Sequence, residues 1–165
     1  MPDKPLDELT ELIGNSKTTV VDMAIEAGKV AEFANAIQNP NPVYRDEEAA
    51  RAQGHDAIPA PPTFLMTKQF PRYRPDGLPE GPPFDLGFEL ARVLHGEQEF
   101  EFDRPVYVGD VLTGVSTLAD VYQRDGGKGG TMTFAVVETD YTDQDEAYVA
   151  TDRMTIIEQG GGSDE

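Results

Sequence analysis

The sequence predicts an α+β domain, an antiparallel sheet wrapped around a central helix. Three observations carry the prediction. From residue 94 onward the chain reads as strands, with Phe100 and Phe102 alternating with glutamates and strand patterns over 111–123, 131–141 and 148–157. Before them, Val30, Phe33, Ala34 and Ile37 fall at the spacing of a half-buried helix. Between the two lies Pro61-Pro62-Thr63-Phe64-Leu65-Met66, a proline-led apolar run with the form of a buried helix start. Helices followed by a run of strands suit an antiparallel sheet packed on a helix.

In chain order, Leu6, Leu9, Leu12 and Ile13 give residues 5–14 a helical spacing that ends before Gly14-Asn15. Residues 18–23 are short and β-branched, a first strand. The helix over 27–38 stops at Pro40 and Pro42, since each lacks an N–H and restricts the residue before it. A short polar helix over 46–53 ends at Gly54. Residues 71–91 are rich in Pro and Gly, too long for a plain connection, and expected to form a lid or binding loop. Asp125-Gly-Gly-Lys-Gly-Gly130 is a hairpin connection. Residues 1–17 form an N-terminal extension to a domain over 18–158, and the acidic tail 159–165 is expected to be disordered.

The length of 165 residues suits one domain with a proper core. Cysteine is absent, which removes disulfides, thiolate metal sites and a cysteine nucleophile. No signal peptide and no membrane-spanning run is read, so the expectation is a soluble, cytoplasmic protein without a membrane partner. Acidic residues outnumber basic ones 31 to 13, for a net charge of −18. Regular apolar spacing argues for a folded chain, and the charge for a halophilic one whose acidic surface is screened by concentrated salt. Nucleic acid is not an expected partner, because phosphate binding needs clustered Lys and Arg.

The organising stretch is 33–44, where a helical run ends in Gln38-Asn39-Pro40-Asn41-Pro42-Val43-Tyr44. It resembles the signature of (R)-specific enoyl thioester hydratases, the MaoC-like branch of the hot-dog fold. That pattern is an aromatic, a small linker, then Gly-Asp-x-Asn-Pro-aliphatic-His. Asn41, Pro42 and Val43 match, whereas Gln38 stands for the Gly, Asn39 for the catalytic Asp and Tyr44 for the catalytic His. Ala60-Pro-Pro-Thr-Phe64, Leu94-His-Gly-Glu-Gln-Glu-Phe100 and Arg104-Pro-Val-Tyr-Val-Gly-Asp-Val-Leu-Thr113 extend the resemblance over about 15–158. It is similar to the N-terminal type of domain, as in the non-catalytic small subunits of mycobacterial β-hydroxyacyl-ACP dehydratases.

The resemblance implies a single hot-dog domain acting on acyl-CoA or acyl-ACP, with no cofactor and no metal. It also implies a catalytic partner subunit that carries the Asp/His dyad. Hydration of an enoyl thioester needs a base, an acid and donors for the enolate oxygen. An amide such as that of Asn39 has no usable protonation equilibrium, and a phenol such as that of Tyr44, with a reference pKa near ~10, is a weak base at pH 7. Read by itself, Asn39-Pro-Asn-Pro42 terminates a helix through side-chain-to-backbone bonds.

Thr63 and Phe64 would supply backbone donors to a thioester carbonyl, with Phe64 also a core candidate. Phe84 and Phe88 would fold over the central helix and line an acyl-chain cleft with Phe64, or merely cap the core. His95 and Gly96 would sit near the pocket mouth, with His95 a replacement catalyst or a structural histidine. His55 is read as a solvated link residue. Lys68, Arg72 and Arg74 would meet the phosphates of CoA or a pantetheine carrier, or complement a helix dipole. Asp85, Glu89, Glu97, Glu99 and Glu101 read as a solvated face. The expected function is the non-catalytic half of an (R)-specific hydratase/dehydratase. The alternatives are a homodimeric acyl-thioester binding protein and an active hydratase or thioesterase using His95.

Overall fold

The structure, a computed structural model, describes residues 2–69, 83–126 and 130–160. Five strands form one antiparallel sheet: β1 (Ser16–Ala24), β2 (Val93–Phe102), β3 (Val111–Asp125), β4 (Thr131–Thr142) and β5 (Tyr148–Glu158). Their order is β1-β3-β4-β5-β2, so β1 and β2 are the edges. The strands lie where the alternation of the sequence predicts them. Between β4 and β5 the chain reverses at Asp143, whose Oδ1 accepts the N–H groups of Asp145 and Ala147.

Helices cover one face of this sheet: α1 (Leu6–Thr10), α2 (Ala27–Ala36) and α3 (Glu47–Ala52). α2 buries Val30 and Ala34, while Ile37, past its last turn, is exposed. The run after Pro61 departs from expectation. Its described part is a 3₁₀ helix, Phe64–Gln69. Phe64 N–H bonds to Pro61 O and Met66 N–H to Thr63 O, so the segment starts on i→i+3 contacts after two prolines that donate nothing. None of the described helices is long and apolar enough to cross a membrane.

The covered face holds two apolar blocks rather than one. Val30, Phe64, Leu65, Leu112, Tyr141 and Ala150 belong to the first. Leu9, Leu86, Leu118, Val137 and Ile156 belong to the second, with Phe84 and Phe88 packed against it. Alternate residues of a strand share a face, so Leu112 and Leu118 of β3, or Tyr141 and Val137 of β4, lie on the same side. Between the blocks runs a polar row. Ser116, Thr139 and Asp152 are register partners across β3, β4 and β5. Thr19 Oγ1 lies 2.7 Å from Ser116 Oγ, and Ser116 Oγ 2.8 Å from Thr139 Oγ1.

The expected lid over 71–91 is described only from residue 83. There Leu86 is buried, Asp3 N–H bonds to Gly87 O, and Lys4 pairs with Asp85. This stretch and α1 form a common cover over the second block. The tip of the 125–130 connection and the tail from 161 lie outside the described residues.

Candidate functional site

The site is built at the end of α2. Gln38 takes a left-handed φ of +56°, its N–H bonds to Asn35 O, and the N–H of Asn39 reaches back to Ala34 O. These are the two bonds of a Schellman cap, which calls for glycine at the left-handed position. The glycine of the resembled signature would sit there without strain; here a glutamine adopts the same turn.

Asn39 Oδ1 then accepts the N–H of Asn41 at 3.0 Å. Asn41 Oδ1 accepts the N–H of Val43 at 3.1 Å and so caps the 3₁₀ turn Pro42–Tyr44. Arg45 clamps the stretch from outside, donating to the carbonyls of Asn39 and Asn41 and to Asn35 Oδ1. The carboxamide oxygen of Asn39 is thus spent on local backbone, as its residue type suggests.

A cavity of about 360 Å³ opens beside this turn. Its lining includes Asn41, Val43 and Tyr44, then Gln53 and His55, and Phe102, Arg104 and Val106. Two short extended segments bring the walls together, since Ala60 N–H bonds to Val106 O and Val108 N–H to Ile58 O. Asp110 accepts both guanidinium nitrogens of Arg104, at 2.8 and 3.1 Å, and Asp143 accepts one at 2.9 Å. These bonds, Asp110's first, hold the guanidinium further above its already high pKa. The same Arg104 hydrogen bond is the main cause that keeps the Asp143 carboxyl below its ordinary range. Arg104 is therefore a fixed wall.

The structure redistributes the predicted site residues. Asn41 and Tyr44 line the cavity; Asn39, Thr63 and Phe64 are not among its lining. Thr63 is exposed. Phe64 is buried edge-on to Phe33 with its N–H already bonded to Pro61, so it is a core residue and not a free donor. Phe84 and Phe88 pack in the second apolar block and Phe64 in the first, so they do not form one cleft.

His95 is exposed on β2 opposite Ile156 and away from the cavity lining. Gly96 marks a bulge, where an added Cβ would stand 2.7 Å from Ile157 Cδ1; its reason is packing. Lys68, a candidate phosphate contact by sequence, turns inward instead. It is a mostly buried cation 2.5 Å from Asp152 Oδ2, which also accepts from Tyr141 OH at 2.6 Å. Burial first, then the Asp152 charge, pushes the Tyr141 phenol well above its ordinary value. Arg72 and Arg74 lie outside the described residues.

The residue read from sequence as a solvated link, and placed by the structure at the cavity, is His55. It is half-buried, lines the cavity, and has Nδ1 3.4 Å from Tyr107 OH, a long contact, with the rings edge to face. Its signal was the matched pair of apolar runs Ile58-Pro59-Ala60 and Val106-Tyr107-Val108, which cross at a Pro59–Tyr107 bridge.

A five-stranded antiparallel sheet carrying this turn and cavity defines a MaoC-like hot-dog domain of the dehydratase type. The chain belongs to the family described as FAS1-like, dehydratase domain region, whose model matches residues 11–152. A UPF0336 protein of Saccharopolyspora erythraea is 33% identical over 160 residues, covering 97% of this chain and 96% of that protein. Another UPF0336 protein, from Parafrankia, is 36% identical, covering 94% and 96%. Among solved structures, a MaoC-like dehydratase superposes with a TM-score of 0.74 at 25% identity, covering 91% of this chain and 43% of that one. The fold also matches a chain of the Mycobacterium tuberculosis HadBC (3R-hydroxyacyl-ACP dehydratase) complex, with a TM-score of 0.69 at 24% identity, covering 88% and 96%. A chain of the ChsH1-ChsH2 complex from the same organism gives 0.71 at 23% identity, covering 96% and 91%.

Proposed function

We propose that this chain is the non-catalytic subunit of an (R)-specific enoyl-CoA hydratase or 3-hydroxyacyl thioester dehydratase. It would lend an acyl-chain pocket and an assembly surface to a subunit with the intact Asp/His dyad. One observation carries the reading. The turn that would hold a carboxylate and an imidazole is kept in shape by Asn39, Asn41 and Arg45, while the cavity beside it remains open. Proton transfer to and from carbon needs groups that exchange protons near neutral pH. The Asn39 amide cannot do so, and its oxygen is already bonded. The Asn41 and Gln53 amides, the Tyr44 phenol and His55 can hold a thioester by hydrogen bonds without turning it over. That solved neighbours include chains of the HadBC dehydratase complex and of the ChsH1-ChsH2 complex supports a partner.

The test is crotonyl-CoA hydration by the chain alone and then with a MaoC-like subunit whose motif reads Asp-x-Asn-Pro-x-His. The expected result is no appreciable turnover alone and (R)-specific turnover in the complex. Robust turnover by the chain alone, abolished by His55→Ala or His95→Ala, overturns the reading.

A further inference from the structure

We infer that the cavity beside the 38–44 turn admits uncharged acyl groups and rejects acyl chains that end in a free carboxylate, and that Asp103 is the residue that decides. The inference rests on the acyl-pocket reading and names the chemistry that the pocket selects.

With His55 neutral, two residues of the lining are charged, Asp103 and Arg104. An arginine offers what a carboxylate needs, a planar fork of donors. Here the terminal nitrogens of that fork are already engaged. Nη1 donates to Pro105 O at 2.9 Å and to Asp110 Oδ2 at 2.8 Å. Nη2 donates to Asp110 Oδ1 at 3.1 Å and to Asp143 Oδ2 at 2.9 Å. Both aspartate side chains are nearly buried, so water competes little for these bonds. Of the donors on a guanidinium, only the one on Nε is left. The two-pronged clamp that recognises a carboxylate cannot form.

The charges point the same way. Against the single positive charge of Arg104 stand the negative charges of Asp110 and Asp143. Asp103 adds another negative charge from within the lining, and it is exposed. Its N–H bonds to Val149 O, which fixes its backbone just past the end of β2. Arg45 grips the turn from outside, donating to the carbonyls of Asn39 and Asn41. A carboxylate entering the cavity would therefore lose water and gain no cation with a free pair of donors.

Burying a charge without a partner is costly, whereas a thioester or amide carbonyl needs only a neutral donor. Asn41, Tyr44, Gln53 and His55 line the cavity and can supply such donors. The pocket thus tells an acyl chain still joined to its carrier from the free acid that hydrolysis would release.

Hexanoate and hexanamide, which match in length and shape, test this on the full-length chain. Titrations at about pH 8, where hexanoic acid is ionised, follow the backbone amide resonances of Val43, Tyr44 and His55 by NMR. Hexanamide is expected to bind at least about tenfold more tightly than hexanoate. Asp103→Asn should narrow that gap by about threefold or more, by strengthening hexanoate more than hexanamide. Glu101→Gln, which removes one negative charge from β2 outside the lining, should leave the gap as it was. Hexanoate bound as tightly as hexanamide overturns the inference. So does a gap that Asp103→Asn leaves intact, or that Glu101→Gln narrows equally. If Asp103→Asn does not fold, Asp103→Ser gives the same comparison. Hexanamide failing to bind defeats the acyl-pocket reading and the inference with it, whereas equal binding of the two ligands defeats the charge assignment alone.

Discussion

Lys68 sets its ammonium nitrogen 2.5 Å from Asp152 Oδ2, across 84 residues of sequence, beneath a sheet that leaves the aspartate 1% exposed. Tyr141 donates to the same oxygen, and Thr139 Oγ1 lies 3.2 Å from the lysine. This pair fastens the 3₁₀ segment to the polar row. Breaking it from one side strands a buried carboxylate, so Lys68→Met should cost about 3–5 kcal/mol. Lys68→Met/Asp152→Leu, which removes both charges, should recover much of that loss. Urea unfolding of both variants measures it; a double variant no more stable than the single one contradicts the assignment.

At Gln38 the left-handed backbone costs about 1–2 kcal/mol relative to glycine. The residue is exposed and already makes both bonds of its cap. Gln38→Gly should therefore raise stability by about 1 kcal/mol, read as a higher denaturation midpoint at unchanged slope.

The two histidines should separate in binding. His55→Ala removes a cavity wall and one hydrogen-bonding group, worth about 1 kcal/mol or roughly fivefold in Kd. His95→Ala, on β2 and outside the lining, should leave Kd unchanged. Titration of the assembled complex with a saturated acyl thioester, which cannot be hydrated, checks both.

Acid should act through Asp143. Its carboxyl is depressed in the folded chain, first by the hydrogen bond from Arg104. A depressed carboxyl contributes stability that is fully present above its unfolded pKa, near ~3.9, and is lost as pH falls through the lower folded value. The stability difference between wild type and Asp143→Asn should be largest near neutral pH and should shrink below about pH 4. Unfolding midpoints from pH 7 down to 3 give the comparison.

The net charge of −18 sets the response to salt. Screening shortens the reach of surface repulsion from about 30 Å at 0.01 M to about 3 Å at 1 M. The melting temperature should climb steeply with KCl. An unchanged value between dilute buffer and molar salt contradicts a halophilic adaptation.

The strands were legible because alternation survives folding as a face of the sheet. β3 to β5 occupy nearly the residues that their apolar periods mark. The turn at 38–44 was legible as a signature, but its geometry was not, since glutamine is not the residue that usually marks a left-handed cap. The ion pair of Lys68 was not legible because a cation's role depends on what faces it. Its partner stands on β5, and the hydroxyls of Thr19, Ser116 and Thr139 look like ordinary strand residues until the register lines them up. The histidines were exchanged for a related reason. Sequence spacing carries no information on which of two polar links will be folded against a tyrosine, as His55 is against Tyr107.

The polar row between the apolar blocks also divides how the molecule can open. α1 has a single turn's worth of helix and depends on Leu9 and the Asp3–Gly87 and Lys4–Asp85 ties for its place. Short, locally tied elements sit at the low end of the opening free energies within a fold. When this cover lifts, the second block loses its lid, but the hydroxyl chain and the Lys68–Asp152 pair still bound the first. The cavity end can thus keep its shape through fluctuations that expose the other end. In amide hydrogen exchange the two halves of β3, on either side of Ser116, should protect to different depths.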